Sequence, residues 1–574
     1  MQAIAAGALG VDSRRFWRSP SIARGNIGRS FAPTLQDICI WRLIGGDEER
    51  EMDAFDAIVV GAGHNGLAAA IHLLNRGWSV AVIEQAGEPG GAVKTREVTL
   101  PGFRHDLCAM NLSLFAGSPF FAAHKDELMA QGLAFVPAAD CFASVFRDHT
   151  YLGVSKDLEK TANAIAALSA KDAAAWRAML ARFGEEAPHI FGLLGSPMPS
   201  LAAARTLWSA WRAKGTQSLL DLGRLLLASP RDFLDAHFEQ PKVKAMMAAW
   251  GMHLDFPPEA AGGALFPYLE SMGTQAFGMV IGAGGANVII RAMTGLIKAK
   301  GGEMRLKSPV TKIESDASGA TGVTLDDGTR IAAKKAVIAN LHPQIVFGRL
   351  MSADPKRKAF DEKVARIRAG PGTMMIHLAL DSLPDWRAGA DLQRFAYVHV
   401  APDLAMMSRA FAEAAAGLLP AEPVLVVGQP TAIDATRAPP GKHVLWVQVR
   451  VLPATIAGDA LGRIEATAWD AAKEPYAERV LDILETYAPG LRGKILGRSV
   501  WSPLDLEREN PCLIGGDNLT GSHHLDQNFF FRPVAGYSRY ATPTPRLYLC
   551  GAGTWPGAGT GAASGYMLAK RLAR

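Results

Sequence analysis

The 574-residue sequence predicts an α/β fold in which a Rossmann-type dinucleotide-binding domain is interrupted by an inserted α+β domain. Three observations indicate this fold. A short apolar strand at residues 57–60 runs into a glycine-rich turn and a helix. A second strand at residues 80–83 ends in an acid, and another strand, glycine-rich loop and helix close the chain after residue 547. This order of elements is typical of dinucleotide sites.

Each glycine of the first turn has a physical task. Gly61 permits a tight turn, Gly63 lets a pyrophosphate approach the backbone, and Gly66 lets the next helix pack close to the strand. That helix, predicted to run to about Asn75, offers free N–H groups and the positive end of its dipole to phosphates. A glycine-rich turn without a nucleotide is the alternative. The predicted cofactor contacts here are Gly61, Ala62, Gly63, His64, Asn65 and Gly66.

An acid and a second glycine pair follow the first turn. Glu84 ends the second strand about 20 residues after the glycines, where a carboxylate accepts hydrogen bonds from ribose hydroxyls and repels a 2′-phosphate. Gly90 and Gly91 come just afterwards. A glycine pair in this place resembles the extended phosphate site of FAD enzymes of the glutathione-reductase and amine-oxidase type, which favours FAD over NAD.

Composition excludes several classes of function. The net charge of +5, from 60 basic and 55 acidic residues, is small for this length, so nucleic acid is not an expected partner. The cysteine count is odd and no CxxC occurs, so neither a disulfide framework nor a dithiol redox pair is predicted. No cluster has zinc-like spacing, so no metal is expected. No apolar run of about 18 residues predicts a transmembrane helix. The cysteines are Cys39, Cys108, Cys141, Cys512 and Cys550.

Residues 1–51 differ in character from the segment that follows. They are rich in arginine, alanine and serine, and Asp12 is the only acid before Asp37. Three interpretations compete: an organellar transit peptide, a disordered tail, or translation that begins at Met52, which we favour. The expected localisation is the cytoplasm, either free or bound peripherally to a membrane. If the segment is a transit peptide, the expected localisation is the mitochondrial matrix.

Residues 124–250 are predicted to be mostly helical, with helices at 157–168, 173–183, 201–214 and 219–227. The third is amphipathic and basic. Such a helix lies on a membrane surface in some proteins, and more often it is a solvated helix with its apolar stripe in the core. Both interpretations stay open. Its apolar residues are Leu201, Leu207 and Trp211, and its basic residues are Arg205, Arg212 and Lys214.

The nucleotide domain is predicted to resume after this insertion. A helix at 288–300, a β-meander to Gly328 and a buried strand at 336–340 have the order expected of its second half. Strands at 373–379 and 444–451 and a helix at 472–487 are assigned to the substrate domain. The predicted FAD-binding domain comprises residues 52–105, 282–345 and 541–574, and the predicted substrate domain comprises residues 106–281 and 346–540.

Several stretches resemble the phytoene-desaturase-like branch of the FAD-dependent oxidoreductases. The resemblance implies a Rossmann-type FAD-binding domain, FAD as cofactor, and a backbone contact from Val310 to the adenine. It also implies that the C-terminal glycine loop meets the flavin through Gly551, Gly553, Gly559 and Gly561. It extends over nearly all of residues 55–574, and its most specific stretches are 61–67, 436–443, 525–527, 532–533 and 547–553.

The sequence departs from this family in the C-terminal loop. The family usually has His-Pro-Gly-Gly-Gly, whereas this chain has Trp555 in the place of the histidine and Ala558 in the place of the second glycine. If the loop lines the flavin, Trp555 adds an aromatic wall where a titratable imidazole is usual. The substitution favours apolar or stacked substrates and puts histidine-based proton transfer there in doubt.

The resemblance implies hydride transfer between N5 of FAD and a C–H or C=C centre. We expect a small apolar substrate, isoprenoid or carotenoid-like, and a homo-oligomer or further protein partners. One alternative is an FAD-bearing regulatory protein. Another is a flavin amine oxidase with an aromatic cage of Trp555 with Tyr540 or Tyr566. The catalytic candidates are Arg532, Asp526, His524 and Trp555, with His523 beside them, and a structural salt bridge or plain solvation is the alternative for the polar ones.

Overall fold

The structure, a computed structural model, describes residues 53–573. The three interpretations of the Arg-rich segment 1–51 therefore concern residues that lie outside the described part of the chain.

A seven-stranded sheet carries the first glycine turn. Its central strand, Ala54–Val60, pairs in parallel with Val80–Ile83 on one side and with Arg330–Ala339 on the other. The helix after the turn spans His64–Leu74, close to the predicted end. This arrangement confirms the predicted α/β class. The strand order is Val310–Asp316, Gly319–Leu325, Arg330–Ala339, Ala54–Val60, Val80–Ile83 and Glu303–Arg305, and Leu547–Leu549 pairs with the end of Arg330–Ala339.

The strand Arg330–Ala339 corrects one detail of the prediction, which placed a separate strand at 336–340. Residues 330–332 of this strand pair antiparallel with residues 322–324 of the meander, whereas residues 337–339 pair parallel with residues 547–549. The strand changes its partner along its length. Side-chain alternation carries no signal for such a change, so the prediction recognised only the buried second half of this strand and left residues 330–335 unassigned.

Both faces of the first sheet are buried, which explains its continuous apolar strands. Ala57 and Val59 point to one face, and Ile58 and Val60 point to the other. The second face packs against the meander and residues 346–364. The first face is covered by the helices His64–Leu74, Pro119–Ala130, Val288–Ala299 and Ala563–Leu572.

The helix Pro119–Ala130 lies in the range predicted for the substrate domain, yet Phe120 and Leu128 pack into the core of the first sheet. The division of the chain by residue range otherwise stays a prediction.

A second sheet, also of seven strands, is mostly antiparallel and includes the predicted strands at 373–379 and 444–451. The helix Trp469–Tyr487 covers one face, and the helical region covers the other. The strand order is Ile495–Trp501, Gly372–Leu380, His443–Leu452, Val424–Gly428, Tyr397–Val400, Asp140–Val145 and Tyr151–Ser155.

The helical region is longer and more continuous than predicted. Asp157 and Ser169 cap two of its helices through their side chains, as expected of N-cap residues. The predicted helices 201–214 and 219–227 are one helix with a kink at Gly215, where φ is 77°. The helices are Leu158–Ala166, Ala170–Leu194, Leu201–Leu227, Pro230–His237, Pro241–Ala248 and Leu265–Phe277.

The helix Leu201–Leu227 has an unusual surface. Ala203 and Ala210 are buried before the kink, and Leu222 and Leu225 are buried after it. Several other large apolar residues face outward, and Trp208 is 58% exposed. The interpretation that Leu201, Leu207 and Trp211 form an apolar stripe in the core is therefore wrong. The exposed residues are Leu201, Leu207, Trp208, Trp211, Leu220 and Leu227. Within residues 53–573, no helix is long and apolar enough to cross a bilayer.

Short elements complete the described fold. The strand pairs are Thr95–Arg96 with His105–Asp106, Phe135–Ala138 with Met279–Gly282, and Leu418–Leu419 with Gly458–Asp459. The remaining α-helices are Ser113–Ala116, Pro343–Ile345, Lys358–Ala365, Leu404–Ala415, Leu491–Lys494 and Pro503–Glu509. Single turns of tighter or wider helix are Gly251–His253, Val346–Leu350, Ala390–Arg394, Pro430–Ala432, Ala435–Arg437, Ile514–Gly516, Leu525–Gln527 and Phe529–Phe531.

Candidate active site

A cavity of about 1070 Å³ connects the glycine loops to the helical region. This volume slightly exceeds the range of about 300–1,000 Å³ found for small-molecule sites. The end near the first sheet is lined by the first glycine turn, Glu84, Val310 and the loop 551–564. The other end, which we call the chamber, is lined by side chains of the second sheet and of the helix Leu265–Phe277.

The first glycine turn is packed so tightly that side chains would not fit. A Cβ on Gly61, where φ is 96°, would lie 2.9 Å from the backbone oxygen of Asn340. A Cβ on Gly63 would lie 2.9 Å from the Asn340 side-chain nitrogen, and one on Gly66 would lie 2.5 Å from the Gly61 oxygen. Gly61 and Gly63 line the cavity and Gly66 does not, which matches the predicted division between turn, ligand approach and helix packing.

The helix His64–Leu74 begins without a capping side chain. Its N-cap is Gly63, no side-chain oxygen accepts from the first N–H groups, and no acid occupies the first turn. Uncapped N–H groups and the positive end of the helix dipole are the features that bind a phosphate. His64 and Asn65, the next predicted contacts, line the cavity. Burial lowers the pKa of His64 to about 4, so this imidazole is neutral at physiological pH.

Glu84 lies at the cavity wall, where the sequence places the ribose acid. Its Oε2 accepts a hydrogen bond of 2.8 Å from the backbone N–H of Ala62, and its Oε1 accepts one of 2.9 Å from Ala86. These two hydrogen bonds fix the carboxylate beside the first turn. Its remaining lone pairs are available to ribose hydroxyls. Ala62 itself does not line the cavity, so its contribution is this N–H group.

The second glycine pair packs directly on the first turn. The Gly90 N–H donates to the Ala62 oxygen at 3.0 Å, and a Cβ on Gly91 would lie 3.3 Å from the Gly63 Cα. Gly91 lines the cavity and Gly90 supports it. Val310 also lines the cavity, at the start of its strand, and its contact with the adenine stays a prediction.

The C-terminal loop, residues 551–564, forms one wall of the cavity. Gly551, Gly559 and Gly561 line it, whereas Gly553 packs against Pro343 and does not. The His64 Nε2 lies 3.0 Å from the Gly559 oxygen and ties the two glycine loops together.

Asn340 joins the same two loops and escapes sequence reasoning. Its side-chain nitrogen donates to the backbone oxygens of Gly61 and Gly63, at 3.2 and 3.3 Å. Its Oδ1 would contact a Cβ on Gly551 at 2.7 Å. The available signal was its place, since a polar residue directly after a buried parallel strand lies at the edge where ligands bind.

Arg532, the first catalytic candidate, has a structural task. It is buried outside the cavity lining, and its guanidinium donates to the backbone oxygens of residues 519–522 and of Ala552 at 2.7–3.3 Å. Burial lowers its pKa to about 10, so it stays charged at neutral pH. Each of its three guanidinium nitrogens donates to a backbone oxygen, and the residue does not line the cavity. It holds residues 519–522 against the C-terminal loop.

Asp526 and His524 are not brought to the cavity either. Asp526 is 63% exposed and pairs with Arg368 at 2.7 Å, and this pair lowers its pKa. The His524 Nε2 lies 2.6 Å from the backbone oxygen of Asp255, and the ring packs on Phe256. The structural-salt-bridge alternative describes both residues better than the catalytic one.

Trp555 and His523 do line the cavity. The Trp555 indole N–H donates to the Ser196 oxygen at 2.9 Å, so the ring is fixed as a wall, as predicted. The His523 Nε2 accepts from the Ala558 N–H at 3.0 Å, and burial lowers its pKa well below the ordinary value. An imidazole therefore reaches this loop after all, from residue 523 rather than from position 555, and it is neutral.

The chamber is mostly apolar and aromatic. Trp250, Tyr397 and Trp446 form one aromatic group, in which the rings of Tyr397 and Trp446 are stacked at 5.8 Å. The Nε1 atoms of both tryptophans are buried without a hydrogen-bond partner among the described residues. Glu270 is the residue in this wall that sequence reasoning missed, and the signal was a lone acid on an otherwise apolar helical face. Other lining residues are Met110, Leu265, Phe266, Leu269, Phe277 and Phe529.

The proposed aromatic cage of an amine oxidase does not form from the predicted residues. Tyr540 is fully buried, and its hydroxyl donates to the Trp555 backbone oxygen at 3.2 Å. Tyr566 packs with His72 and Phe120 behind the first sheet. Neither tyrosine lines the cavity, so only Trp555 of the three is in place.

The nucleotide end fits a dinucleotide that continues into a flavin. The glycine cradle, the uncapped helix and the ribose acid suit the adenosine diphosphate part, and the C-terminal loop supplies a second wall farther along the same cavity. These features define a flavoprotein with a Rossmann-type cofactor domain.

The chain belongs to the family of flavin containing amine oxidoreductases, whose model matches residues 66–574. It is 30% identical over 562 residues to pyridine nucleotide-disulfide oxidoreductase domain-containing protein 2 of Mus musculus, covering 91% of this chain and 94% of that one. It is 25% identical over 513 residues to a neurosporene-forming phytoene desaturase of Cereibacter sphaeroides, covering 88% and 92%.

A crystal structure of an oxidoreductase from Methanosarcina mazei has the same fold, with a TM-score of 0.59 at 18% identity, covering 90% of this chain and 99% of that one. These comparisons confirm the predicted family and fold. The chain is an FAD-dependent oxidoreductase.

Proposed function

We propose that this oxidoreductase transfers a hydride between N5 of FAD and a C–H or C=C centre of an apolar substrate. The observation that carries the proposal is the continuity of the cavity, which passes from the cofactor loops into an apolar, aromatic chamber. A chamber of this composition binds a hydrocarbon by removing apolar surface from water.

The residues of the chain have separate tasks in this reaction. FAD supplies the hydride acceptor or donor when it is bound. The fixed indole of Trp555 packs against the ring of Phe529, with centroids 5.2 Å apart, and both rings form part of the cavity wall. Apolar walls exclude water and orient the reacting carbon. The neutral His523 holds the loop through the Ala558 N–H.

The test is anaerobic reduction of the flavin by candidate substrates. The reduction is monitored as the loss of the visible absorbance of the flavin. We expect monoterpene and linear polyene hydrocarbons to bleach the flavin and aliphatic amines of the same carbon number to leave it oxidised. Bleaching by the amines alone would contradict the proposal and support the amine-oxidase alternative. A flavin that stays oxidised with both series would contradict it in favour of an FAD-bearing regulatory role.

A chamber-filling variant separates substrate binding from cofactor binding. Gly273 faces the chamber, and a Cβ there would meet only the tip of Phe183, at 3.8 Å. We expect Gly273→Leu to retain the flavin spectrum and to lose substrate-dependent bleaching. The control is Gly184→Leu, at a helical position with no atom within 4 Å of the new Cβ and no contact with the cavity. Equal bleaching by both variants would contradict the assignment of the chamber.

We also propose that the exposed face of the helix Leu201–Leu227 docks on an anionic bilayer. Charge supports this occupant, because the helix carries four basic residues and one acid. Continuity supports it too: Gly192 packs against Thr206 of this helix, and its neighbour Phe191 lines the cavity. An apolar substrate dissolved in lipid would enter the cavity from this side.

Sedimentation with lipid vesicles tests this docking. We expect the protein to pellet with phosphatidylglycerol vesicles more than with phosphatidylcholine vesicles, and Trp208→Ser to reduce the bound fraction several-fold. Leu496→Ser is the control, since Leu496 is another exposed apolar residue on a different part of the chain. An equal effect of the two substitutions, or none, would contradict the docking surface.

A further inference from the structure

The helix Leu265–Phe277 presents one face to the chamber, and that face carries a single ionisable residue. The cavity-lining residues recur at the spacing of one helical face. Glu270 lies in the middle of this face, with Thr274 one turn later. The whole face consists of Leu265, Phe266, Leu269, Glu270, Gly273, Thr274 and Phe277.

The Glu270 carboxyl has no partner within residues 53–573. No side chain or backbone N–H of the described chain donates to it, and burial raises its pKa. Glu186, a nearby buried glutamate, shows the contrast: it accepts from Arg182 at 2.7 Å and from the Tyr268 hydroxyl at 2.8 Å. Tyr268 belongs to the same helix as Glu270 and points the other way, into the core.

An unpartnered carboxyl in an apolar wall is costly for the folded chain. Burial raises the pKa of Glu270 to about 7, so at neutral pH about half of the molecules carry the acid form. The acid form has one O–H donor that no residue of the chamber uses. An unpartnered buried polar group is more typical of a ligand-binding site than of a position that serves packing alone.

We infer that Glu270 is a specificity-determining residue, which donates a hydrogen bond to an oxygen atom of an otherwise apolar substrate. The ligand class is therefore a hydrocarbon skeleton with a carbonyl or hydroxyl group. This inference rests on the proposed function, because it refines the substrate of the same chamber. Tyr397 and Gln448 also line this wall and are within the same region of the cavity.

Charge decides between an oxygen and an amine as the bound group. An ammonium would have to leave water and pair with a carboxylate in a wall of apolar rings, and desolvation of both ions opposes that pairing. A carbonyl that accepts from the acid form buries no charge. Arg450, a charged residue that also lines the cavity, already donates to the backbone oxygen of Met252 and to Thr373.

Calorimetric titration of the holoprotein tests the inference with two probes of equal length, octan-2-one and octylamine. We expect wild type to bind octan-2-one about tenfold more tightly at pH 6 than at pH 8.5, because the donor is lost when Glu270 ionises. Glu270→Leu should bind it about tenfold more weakly at pH 6. Glu270→Gln, which keeps a donor and does not titrate, should bind equally at both values.

Glu186→Gln is the matched control and should leave both affinities unchanged, because Glu186 lies outside the cavity lining. Affinity for octan-2-one that is the same in wild type and Glu270→Leu would overturn the inference. Octylamine that binds more tightly at pH 8.5 than at pH 6, in wild type only, would overturn the choice of an oxygen ligand.

A readout without ligand or turnover separates this inference from the proposed function. Carbon-13 NMR of protein labelled at the glutamate δ-carbon should show one carboxyl that titrates near pH 7 and is absent from Glu270→Gln. The absence of such a resonance would overturn the inference. If octan-2-one binding depends on Glu270 but the flavin is unreactive, the role of Glu270 in ligand binding is supported and only the hydride transfer is refuted.

Discussion

The two ends of the cavity are built in different ways. The cofactor end is made of backbone: a Cβ added to Gly61, Gly63 or Gly91 would lie within 3.3 Å of a main-chain or amide atom. Short loops supply its N–H groups. The chamber is made of side chains from segments that are far apart in sequence, such as Met110, Glu270 and Trp446. The cofactor end suits the adenosine diphosphate part that dinucleotide cofactors have in common, whereas the chamber is suited to select a substrate.

The two ends also differ in how far their polar groups are satisfied. At the cofactor end Glu84, Asn340 and His64 all have hydrogen-bond partners before any ligand binds. In the chamber the Glu270 carboxyl and the Nε1 atom of Trp250 have none among residues 53–573. Partnered groups fix a rigid cradle, whereas unpartnered groups are available to a ligand.

The largest effect is expected at the scaffold beneath the cofactor end. Arg532→Met should destabilise the fold by about 3–5 kcal/mol and release the flavin, because buried backbone oxygens and the carboxylates of Asp255 and Asp517 lose their cationic partner. Thermal unfolding and the flavin content after desalting measure this. Asp526→Asn is the control and should cost less than about 1 kcal/mol, because its ion pair is exposed. Equal and small losses of stability in Arg532→Met and Asp526→Asn would contradict the structural role assigned to Arg532.

A smaller effect is expected inside the glycine turn. Gly66→Val should cost about 3 kcal/mol and abolish flavin binding, because its Cβ would collide with the Gly61 backbone oxygen, which cannot move aside. The control is Gly223→Ala, at a helical position with no neighbouring atom, which should stabilise the protein by about 0.5–1 kcal/mol. Retention of flavin by Gly66→Val would refute the view that backbone packing builds this end.

The smallest effect concerns the chamber and depends on pH. The folded pKa of Glu270 is raised from 4.5 to about 7, so between these values the unfolded chain releases a proton that the folded chain keeps. Stability therefore falls as pH rises from about 4.5 to 7. Glu270→Gln should lack this fall.

The melting temperatures of wild type and Glu270→Gln at pH 5 and pH 8 check the sign. The advantage of the variant should be larger at pH 8. Asp526→Asn is again the control, since the Arg368 partner lowers the pKa of Asp526 and its ionisation does not change between pH 5 and pH 8. A difference between wild type and Glu270→Gln that is constant with pH would show that Glu270 is already charged.

The same contrast explains what the sequence could predict. The glycine turn, Glu84 and the two central strands follow from short-range patterns, and the structure has them where expected. Glu270 and Asn340 act through neighbours that are distant in sequence, so no local pattern identifies their roles. Arg532 was predicted to be catalytic from a resemblance, and only its five backbone partners show that it is structural.

The division of the cavity into a cofactor end and a chamber is tested most directly by a crystal structure of the FAD-loaded protein. We expect the adenosine near Glu84 and Val310 and the flavin ring against the loop 551–561, with the chamber beside Glu270 and Trp446 free of cofactor. A flavin ring that fills the chamber, or a dinucleotide that lies in the opposite direction, would contradict the account.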